Sequence, residues 1–197
     1  MYSRSFSALD SAQAVYHSDT AEHSTRVSRI CGLLGETLGL EGGDLEAVRW
    51  IGILHDVGKL AVPVELLHKP GPLSPSEWEQ VKKHPGAGSD LVLAISATLA
   101  PIASGIRAHH ERWDGTGYPD GLAGHDIPLF GRIAAVADVF DALTHQRDYR
   151  QGSFSDDEGA AFILDGSARA FDPEVVRAFD DLYRRQLVTP QRDAPPS

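Results

Sequence analysis

The segment ILHDVGKL, residues 53–60, places polar side chains inside a run that otherwise has the apolar composition of a buried helix. It contributes an imidazole at His55, a carboxylate at Asp56 and an ammonium group at Lys59. A buried carboxylate or imidazole is costly unless it is paired, hydrogen-bonded or bound to a metal. The segment therefore requires partners from elsewhere in the chain.

A small set of other polar residues does not suit a plain apolar core. It comprises His23, His84, the adjacent pair His109 and His110, and Asp138, which lies in the run AAVADVF. Adjacent side chains on a helix diverge by about 100°, so two neighbouring histidines make poor core filling. The apolar neighbours of Asp138 likewise disfavour an ordinary surface charge at that position.

Together with His55 and Asp56, these residues make five histidines and two aspartates. Imidazole and carboxylate without thiolate suit Fe, Mn, Zn, Ni or Co better than Mg or Ca. The set exceeds one tetrahedral site but is enough for two metals, about 3.5 to 4 Å apart, that share a carboxylate and bind the oxygens of a phosphodiester. The residues alone leave open that a lone His23 or His84 is a hydrogen-bonded or surface histidine, and that Asp138 is a helix-surface charge.

Two helices must position the first of these residues. Apolar residues recur at helical spacing from Ala21 to Leu40, where GLEGG breaks the pattern. A second helix is predicted from about Asp44, as its N-cap, into His55 and Asp56. The polar segment is therefore expected at the C-terminal end of a helix.

The rest of the chain also predicts helices and one long loop. The predicted helices are residues 76–83, a short helix from Ser89, and residues 100–110, 129–144, 155–164 and 173–187. Pro85 is expected to mark a bend just past His84. The run RWDGTGYPDGLAGHDIP, residues 112–128, is too rich in Gly, Pro and Asp to be helix or strand and is predicted to be a functional loop. Because no alternating run predicts a strand, the fold is predicted to be all-α.

Composition narrows the class of protein. The 197 residues with 42% hydrophobic content suit one globular domain. The formal charge of −10 argues against binding polymeric nucleic acid or an anionic membrane, but it permits a small anionic ligand. The single cysteine, Cys31, cannot form an internal disulfide. Since neither a transmembrane run nor a secretory signal is evident, a cytoplasmic location is expected.

Several ordered stretches carry a resemblance to a known family. They are HSTRV, LHDVGKL, LLHKPGPLSPSEW, KKHPGAG, HHERWDGTGYPDGLAGHDIPL and RIAAVADVFDALTHQRDYR. The sequence resembles the HD-GYP family, a branch of the HD phosphohydrolase superfamily whose active members are cyclic di-GMP phosphodiesterases. The resemblance implies an HD-domain helical bundle in which a long Gly/Pro-rich loop carries the GYP motif. It divides the chain into an N-terminal segment, 1–18, the HD-GYP domain, 19–188, and a tail, 189–197, whose composition predicts disorder.

The resemblance also assigns roles to residues. Asp56 would bridge two metals, Fe or Mn in the first place, with Zn, Ni or Co as alternatives, and Lys59 would lie at the scissile phosphate. Tyr118 would hydrogen-bond or pack against the ligand, and Arg147 and Arg150 would reach its distal phosphate or guanine edges. Lys59 could instead be a snorkelling lysine, and the two arginines solvated partners of a helix dipole. The implied metal ligands are His23, His55, Asp56, His84, His109, His110 and Asp138.

Two positions depart from the family pattern. Asp148 stands where the family usually has proline, so the turn that holds Arg147 and Arg150 is expected to be looser than in the family. Asp19 stands four residues before His23, where members with a third metal carry glutamate. In a continuous helix Asp19 and His23 share a face, so Asp19 is either the ligand of a third metal or an N-cap.

The function that the resemblance implies is hydrolysis of cyclic di-GMP to pGpG, with GMP as an alternative end product. The rival interpretations are a di-iron oxygenase of HD type, a non-catalytic module that senses cyclic di-GMP, and a hydrolase of another cyclic dinucleotide. The intact GYP loop and the two arginines favour a dinucleotide substrate over oxygenase chemistry, and the complete ligand set favours activity over sensing alone. A diguanylate cyclase or another signalling protein is a candidate partner, and the protein is expected to be a monomer or a homodimer.

Overall fold

The computed structural model describes residues 18–145 and 154–188, with side chains from residue 21 onward. Within these ranges the chain is α-helical, without a β-strand beyond an isolated bridge between Ser167 and Phe171, as the sequence predicts. The α-helices are α1 Ser18–Thr37, α2 Gly42–Leu54, α3 Val64–Leu67, α4 Pro75–Val81, α5 His84–Ile95, α6 Ala100–Ala108, α7 Leu129–Thr144, α8 Asp156–Asp165 and α9 Pro173–Arg184. Short 3-10 helices occupy Val57–Ala61, Ala97–Leu99 and Gly124–Asp126.

One continuous apolar core holds the helices in place. Helix α1 packs against α2 and α7, and α6 packs against α5 and α7. Buried side chains from seven of the described α-helices meet in this core, among them Leu34, Ile51, Phe140 and Phe179. Burial of each such side chain contributes roughly 1.5 to 3 kcal/mol, so the core fixes the helices that carry the polar residues. Among the described residues, no helix is both long and apolar enough to cross a bilayer.

The ends of the first two helices differ from the prediction for local reasons. Helix α1 ends at Thr37 rather than at Leu40, because the chain turns at Gly39, whose φ of 81° favours glycine. The N-cap of α2 is Glu41 rather than Asp44. Asp44 lies instead in the first turn, where its negative charge favours the helix dipole.

The bend predicted at Pro85 is the beginning of a helix. Helix α5 begins at His84, and Pro85 lies in its first turn, where a missing N–H leaves no hydrogen bond unmade. The predicted start at Ser89 is therefore wrong, since Ser89 lies inside this helix. Helix α6 ends at Ala108, before the two residues that the prediction included, and α7 has its predicted bounds.

Several predictions fall on parts of the chain that the structure does not describe. Arg147, Asp148 and Arg150 lie between the two described ranges, and the predicted tail begins after the second. Asp19 belongs to α1, but its side chain lies outside the described residues.

Candidate metal centre

The polar residues singled out in the sequence converge in the structure. Two sets of metal-ligating atoms each lie within 4.8 Å of one another, and Asp56 belongs to both. Asp138 Oδ1 lies beside the first set, 3.2 Å from His23 Nε2 and 3.6 Å from His55 Nε2. We call the first set with Asp138 the His23 group and the second the His84 group. The His23 group is His23, His55, Asp56 and Asp138, and the His84 group is Asp56, His84, His109 and His110.

Most of these side chains lie at helix ends. His55 caps α2, and Asp56 occupies the turn before the 3-10 helix. His84 is the first residue of α5, while His109 caps α6 and His110 follows it. Because these helix ends meet at one point, residues far apart in sequence share the same small volume.

Gly58 permits the close approach that joins the two groups. A Cβ atom at this position would lie 1.9 Å from the His84 carbonyl oxygen and 2.5 Å from the Gly88 nitrogen. The 3-10 helix therefore packs directly against the backbone of α5. This contact brings Asp56 Oδ1 to 3.3 Å from His84 Nε2.

Backbone carbonyls orient three of the histidines. The Nδ1 atoms of His55, His84 and His109 lie 2.9, 2.8 and 2.6 Å from the carbonyl oxygens three residues earlier. A carbonyl oxygen only accepts, so Nδ1 carries the proton and donates, and the neutral ring keeps the lone pair on Nε2. This is the arrangement by which proteins orient metal-ligating histidines.

The resulting lone pairs fit a bound cation. The Nε2 atoms of His84 and His109 lie 3.4 Å apart, although neither can donate to the other in these tautomers. The Nε2 atom of His55 is buried without a hydrogen-bond partner, and that of His23 faces Asp138 Oδ1 at 3.2 Å. Unpaired buried polar atoms are costly, and a divalent cation within the cluster would satisfy them. Nitrogen and carboxylate donors without sulfur suit a transition metal.

The charge states of Asp56 and His110 also favour a bound cation. Burial alone would raise the pKa of Asp56, but the adjacent Lys59 ammonium holds it well below its usual range. Burial lowers the pKa of His110 to about 4, so this ring is neutral at pH 7. Ionised carboxylates and neutral imidazoles are the forms that bind metals.

Asp141 is a buried functional candidate that the sequence interpretation missed. Its carboxylate Oδ2 lies 2.7 Å from His23 Nδ1, and its oxygens accept hydrogen bonds from Arg26 at 2.7 and 3.0 Å. His145 Nδ1 lies 3.1 Å from Oδ1 of the same carboxylate. The available signal was its spacing, because Asp141 follows Asp138 by three residues in one apolar helix and therefore shares its face.

The two carboxylates near His23 also set its proton affinity. Burial lowers the pKa of His23, but the hydrogen bonds and charges of Asp138 and Asp141 outweigh it and raise the pKa to about 9. A cation that binds His23 Nε2 must therefore displace a proton at neutral pH.

Lys59 reaches the cluster from the 3-10 helix that follows α2. Helix α2 ends at Leu54, and the 3-10 helix begins at Val57. Lys59 Nζ donates to Asp56 Oδ2 at 2.5 Å. The ammonium group thus lies against the carboxylate that both groups share.

The loop after α6 places Tyr118 at the edge of the cluster. The Tyr118 ring centroid lies 4.8 Å from that of His110. Glu111, which the sequence interpretation missed, is buried and accepts backbone N–H hydrogen bonds from residues 120–122 at 2.6, 3.1 and 3.1 Å. A Cβ atom at Gly117 would lie 2.5 Å from Glu111 Cα, so glycine lets the loop fold against this residue. The signal in the sequence was a glutamate directly after the histidine pair.

Comparisons with known proteins agree with this geometry. The family model for the HD domain matches residues 12–175. The chain is 40% identical over 159 residues to 3′3′-cGAMP-specific phosphodiesterase 2 of Vibrio cholerae serotype O1, covering 80% of this chain and 30% of that protein. It is 40% identical over 170 residues to the cyclic di-GMP phosphodiesterase response regulator RpfG of Xanthomonas campestris, and the match covers 85% of this chain and 45% of RpfG. It is 36% identical over 176 residues to the cyclic di-GMP phosphodiesterase of Thermotoga maritima, and the match covers 85% of this chain and 48% of that protein. The chain thus spans less than half the length of each of these relatives.

Solved structures share the fold. V-cGAP3, a cyclic GMP-AMP specific phosphodiesterase of V. cholerae, matches 85% of this chain and 45% of its own with a TM-score of 0.67 at 23% identity. Bd1817, an HDG"Y"P protein from Bdellovibrio bacteriovorus, matches 84% of this chain and 52% of its own with a TM-score of 0.64 at 22% identity. Since the family model covers most of the sequence and the helices superpose on those of these proteins, the chain belongs to the HD domain family.

Proposed function

We propose that this chain is a metal-dependent phosphodiesterase that hydrolyses cyclic di-GMP to pGpG, with GMP as the product of a second cut. The observation that carries the proposal is the sharing of Asp56 by two buried groups of metal-ligating atoms. A carboxylate between two such groups suits a pair of cations that contact one phosphodiester. The names of the RpfG and Thermotoga relatives supply the substrate class.

The metals in this proposal are two divalent transition ions, Fe or Mn in the first place and Zn, Ni or Co as alternatives. When bound, they would supply the Lewis acidity that activates a water nucleophile and neutralises charge on the phosphate. The His23 group would hold one and the His84 group the other. Asp19, four residues before His23, is the proposed ligand of a third metal.

Residues around the cluster would bind the substrate. Lys59 Nζ, which pairs with Asp56 Oδ2, would stabilise negative charge that develops on the phosphate. Tyr118 would pack against the dinucleotide beside His110, since its ring already lies on that side of the cluster. Arg147 and Arg150 are proposed to contact the distal phosphate or the guanine edges.

The second candidate substrate is 3′3′-cGAMP, which differs from cyclic di-GMP in one base. One relative that is 40% identical to this chain is named for it, and the fold of another protein specific for it is shared. The proposed setting for either substrate is the cytoplasm, with a diguanylate cyclase or another signalling protein as partner.

Metal analysis coupled to product chromatography tests the proposal. The protein is purified without oxygen, its metal content is measured, and it is incubated in parallel with cyclic di-GMP and 3′3′-cGAMP. At least two metals per chain and formation of pGpG are expected. Tight binding without a product would favour the sensing module, and oxygen consumption without hydrolysis would favour the oxygenase.

A further inference from the structure

Trp78 presents a large aromatic ring to solvent from helix α4. The side chain is 43% exposed, and the buried residue of its helix, α4, is Val81. A capping box between Ser74 and Glu77 holds the start of the helix, and Lys69 Nζ pairs with Glu77 at 2.7 Å. The indole is therefore available for another role.

The position of Trp78 relates it to the metal cluster. Its ring centroid lies 6.3 Å from that of Tyr118, with the planes at 75°, and the Tyr118 centroid lies 4.8 Å from that of His110. His110 belongs to the His84 group. The three rings thus form an aromatic row that leads from the metal cluster to the protein surface.

The Lys82 ammonium group lies beside this row of rings. Lys82 Nζ lies 5.9 Å from the Tyr118 ring centroid and 2.6 Å from Glu79 Oε1. The Glu79 side chain is well exposed, and exposed ion pairs of this kind are weak. Lys82 can therefore exchange Glu79 for a phosphate oxygen of a ligand.

The row has the chemistry of a nucleotide site. Bases stack on exposed aromatic rings, and nearby ammonium groups attract the phosphates. We propose that Trp78 is a stacking platform for a purine base of the cyclic dinucleotide, with Lys82 beside it for a phosphate. This inference rests on the proposed function.

Exposure alone does not carry the inference, because single exposed apolar residues are common on protein surfaces. Phe162 on α8 is more exposed than Trp78, at 49% against 43%, yet none of the ring contacts found among the described residues joins it to the metal cluster. Phe162 is therefore a matched control for the loss of an exposed aromatic side chain.

The test compares Trp78→Ala, Trp78→Phe and Phe162→Ala in metal-loaded protein. The substrates are cyclic di-GMP and bis(p-nitrophenyl) phosphate, a small diester without a purine. Trp78→Ala is expected to raise KM for cyclic di-GMP about tenfold. Its kcat/KM should fall about tenfold more for cyclic di-GMP than for the small diester. Trp78→Phe should recover most of the difference, and Phe162→Ala should leave both substrates unchanged.

The other results overturn the platform in distinguishable ways. If the wild type hydrolyses cyclic di-GMP and Trp78→Ala leaves its KM unchanged, the platform is wrong and the proposed function stands. If Trp78→Ala lowers kcat/KM equally for both substrates, Trp78 has a structural role. If the wild type cleaves the small diester but no cyclic dinucleotide, the proposed function fails and the platform fails with it.

Discussion

The Asp141 carboxylate lies 2.7 Å from His23 Nδ1, on the side of the imidazole that faces away from Asp138. A proton held between Nδ1 and Asp141 leaves Nε2 free to face the cluster once a cation has displaced its proton. Arg26, whose guanidinium donates twice to Asp141, fixes the carboxylate in turn. Asp141 is thus a positioning residue for His23.

Replacing Asp141 should weaken metal binding in the His23 group and spare the His84 group. We expect Asp141→Ala to lower the affinity of the His23 group for its metal about 10- to 100-fold, because His23 loses the carboxylate that orients it. Asp141→Asn should lose less, since its amide oxygen still accepts from Nδ1. Calorimetric metal titration measures both effects, with the exposed Asp181→Ala as control. Equal loss of both metals would contradict this role.

Removal of Asp56 should affect both groups at once. Because its carboxylate belongs to both sets of ligating atoms, Asp56→Ala is expected to reduce metal content below two per chain and to abolish hydrolysis. Metal analysis and product chromatography of the same sample measure the two effects. Asp165→Ala, which removes an exposed carboxylate, should behave as the wild type. Wild-type turnover with wild-type metal content in Asp56→Ala would show that the site is not a metallohydrolase centre.

A methyl group at Gly58 should separate Asp56 from His84. The added Cβ would meet the His84 carbonyl oxygen at 1.9 Å, so the 3-10 helix must move away from α5. We expect Gly58→Ala to lower the melting temperature and to weaken the His84 group more than the His23 group. Gly43→Ala is the control, because nothing lies within 4 Å of its added Cβ. An unchanged metal affinity in Gly58→Ala would show that the two segments separate without disturbing the ligands.

Loss of the Glu111 carboxylate should loosen the Tyr118 loop. Glu111→Ala leaves the backbone N–H groups of residues 120–122 without their acceptor, at a cost of about 1 to 3 kcal/mol for each group that stays buried. We expect KM for cyclic di-GMP to rise while metal content stays constant, and a smaller effect in Glu111→Gln. Hydrogen exchange at these amides should be faster in Glu111→Ala. A fall in metal content instead would assign Glu111 to the cluster.

The Cys31 thiol should be unreactive in the folded protein. Cys31 is fully buried, and burial raises the pKa of its thiol, so the thiolate that reacts with disulfide reagents is scarce. At pH 8, Ellman's reagent should release no colour from native protein and one equivalent from protein unfolded in guanidinium chloride. Rapid reaction of native protein would show that the core around α1 opens readily.

Much of the fold follows from local patterns in the sequence. The apolar run that aspartates interrupt predicts α7 at its observed bounds, because the core buries most of that helix, including the five consecutive residues 133–137. The boundary at Pro85 was wrong because proline suits both the end of one helix and the first turn of the next. Choosing between the two requires the position of α5 against the 3-10 helix.

Part of the candidate site could likewise be predicted from the sequence, and part depended on the tertiary structure. Residue type alone marked His55, Asp56 and Asp138 as polar side chains in apolar segments, because burial of such groups is costly without a partner. Their grouping around a shared carboxylate, and the contact between His23 and Asp141 across 118 positions, were decided by the tertiary structure. Helical periodicity relates residues three or four positions apart, whereas these distances depend on how whole helices pack against one another.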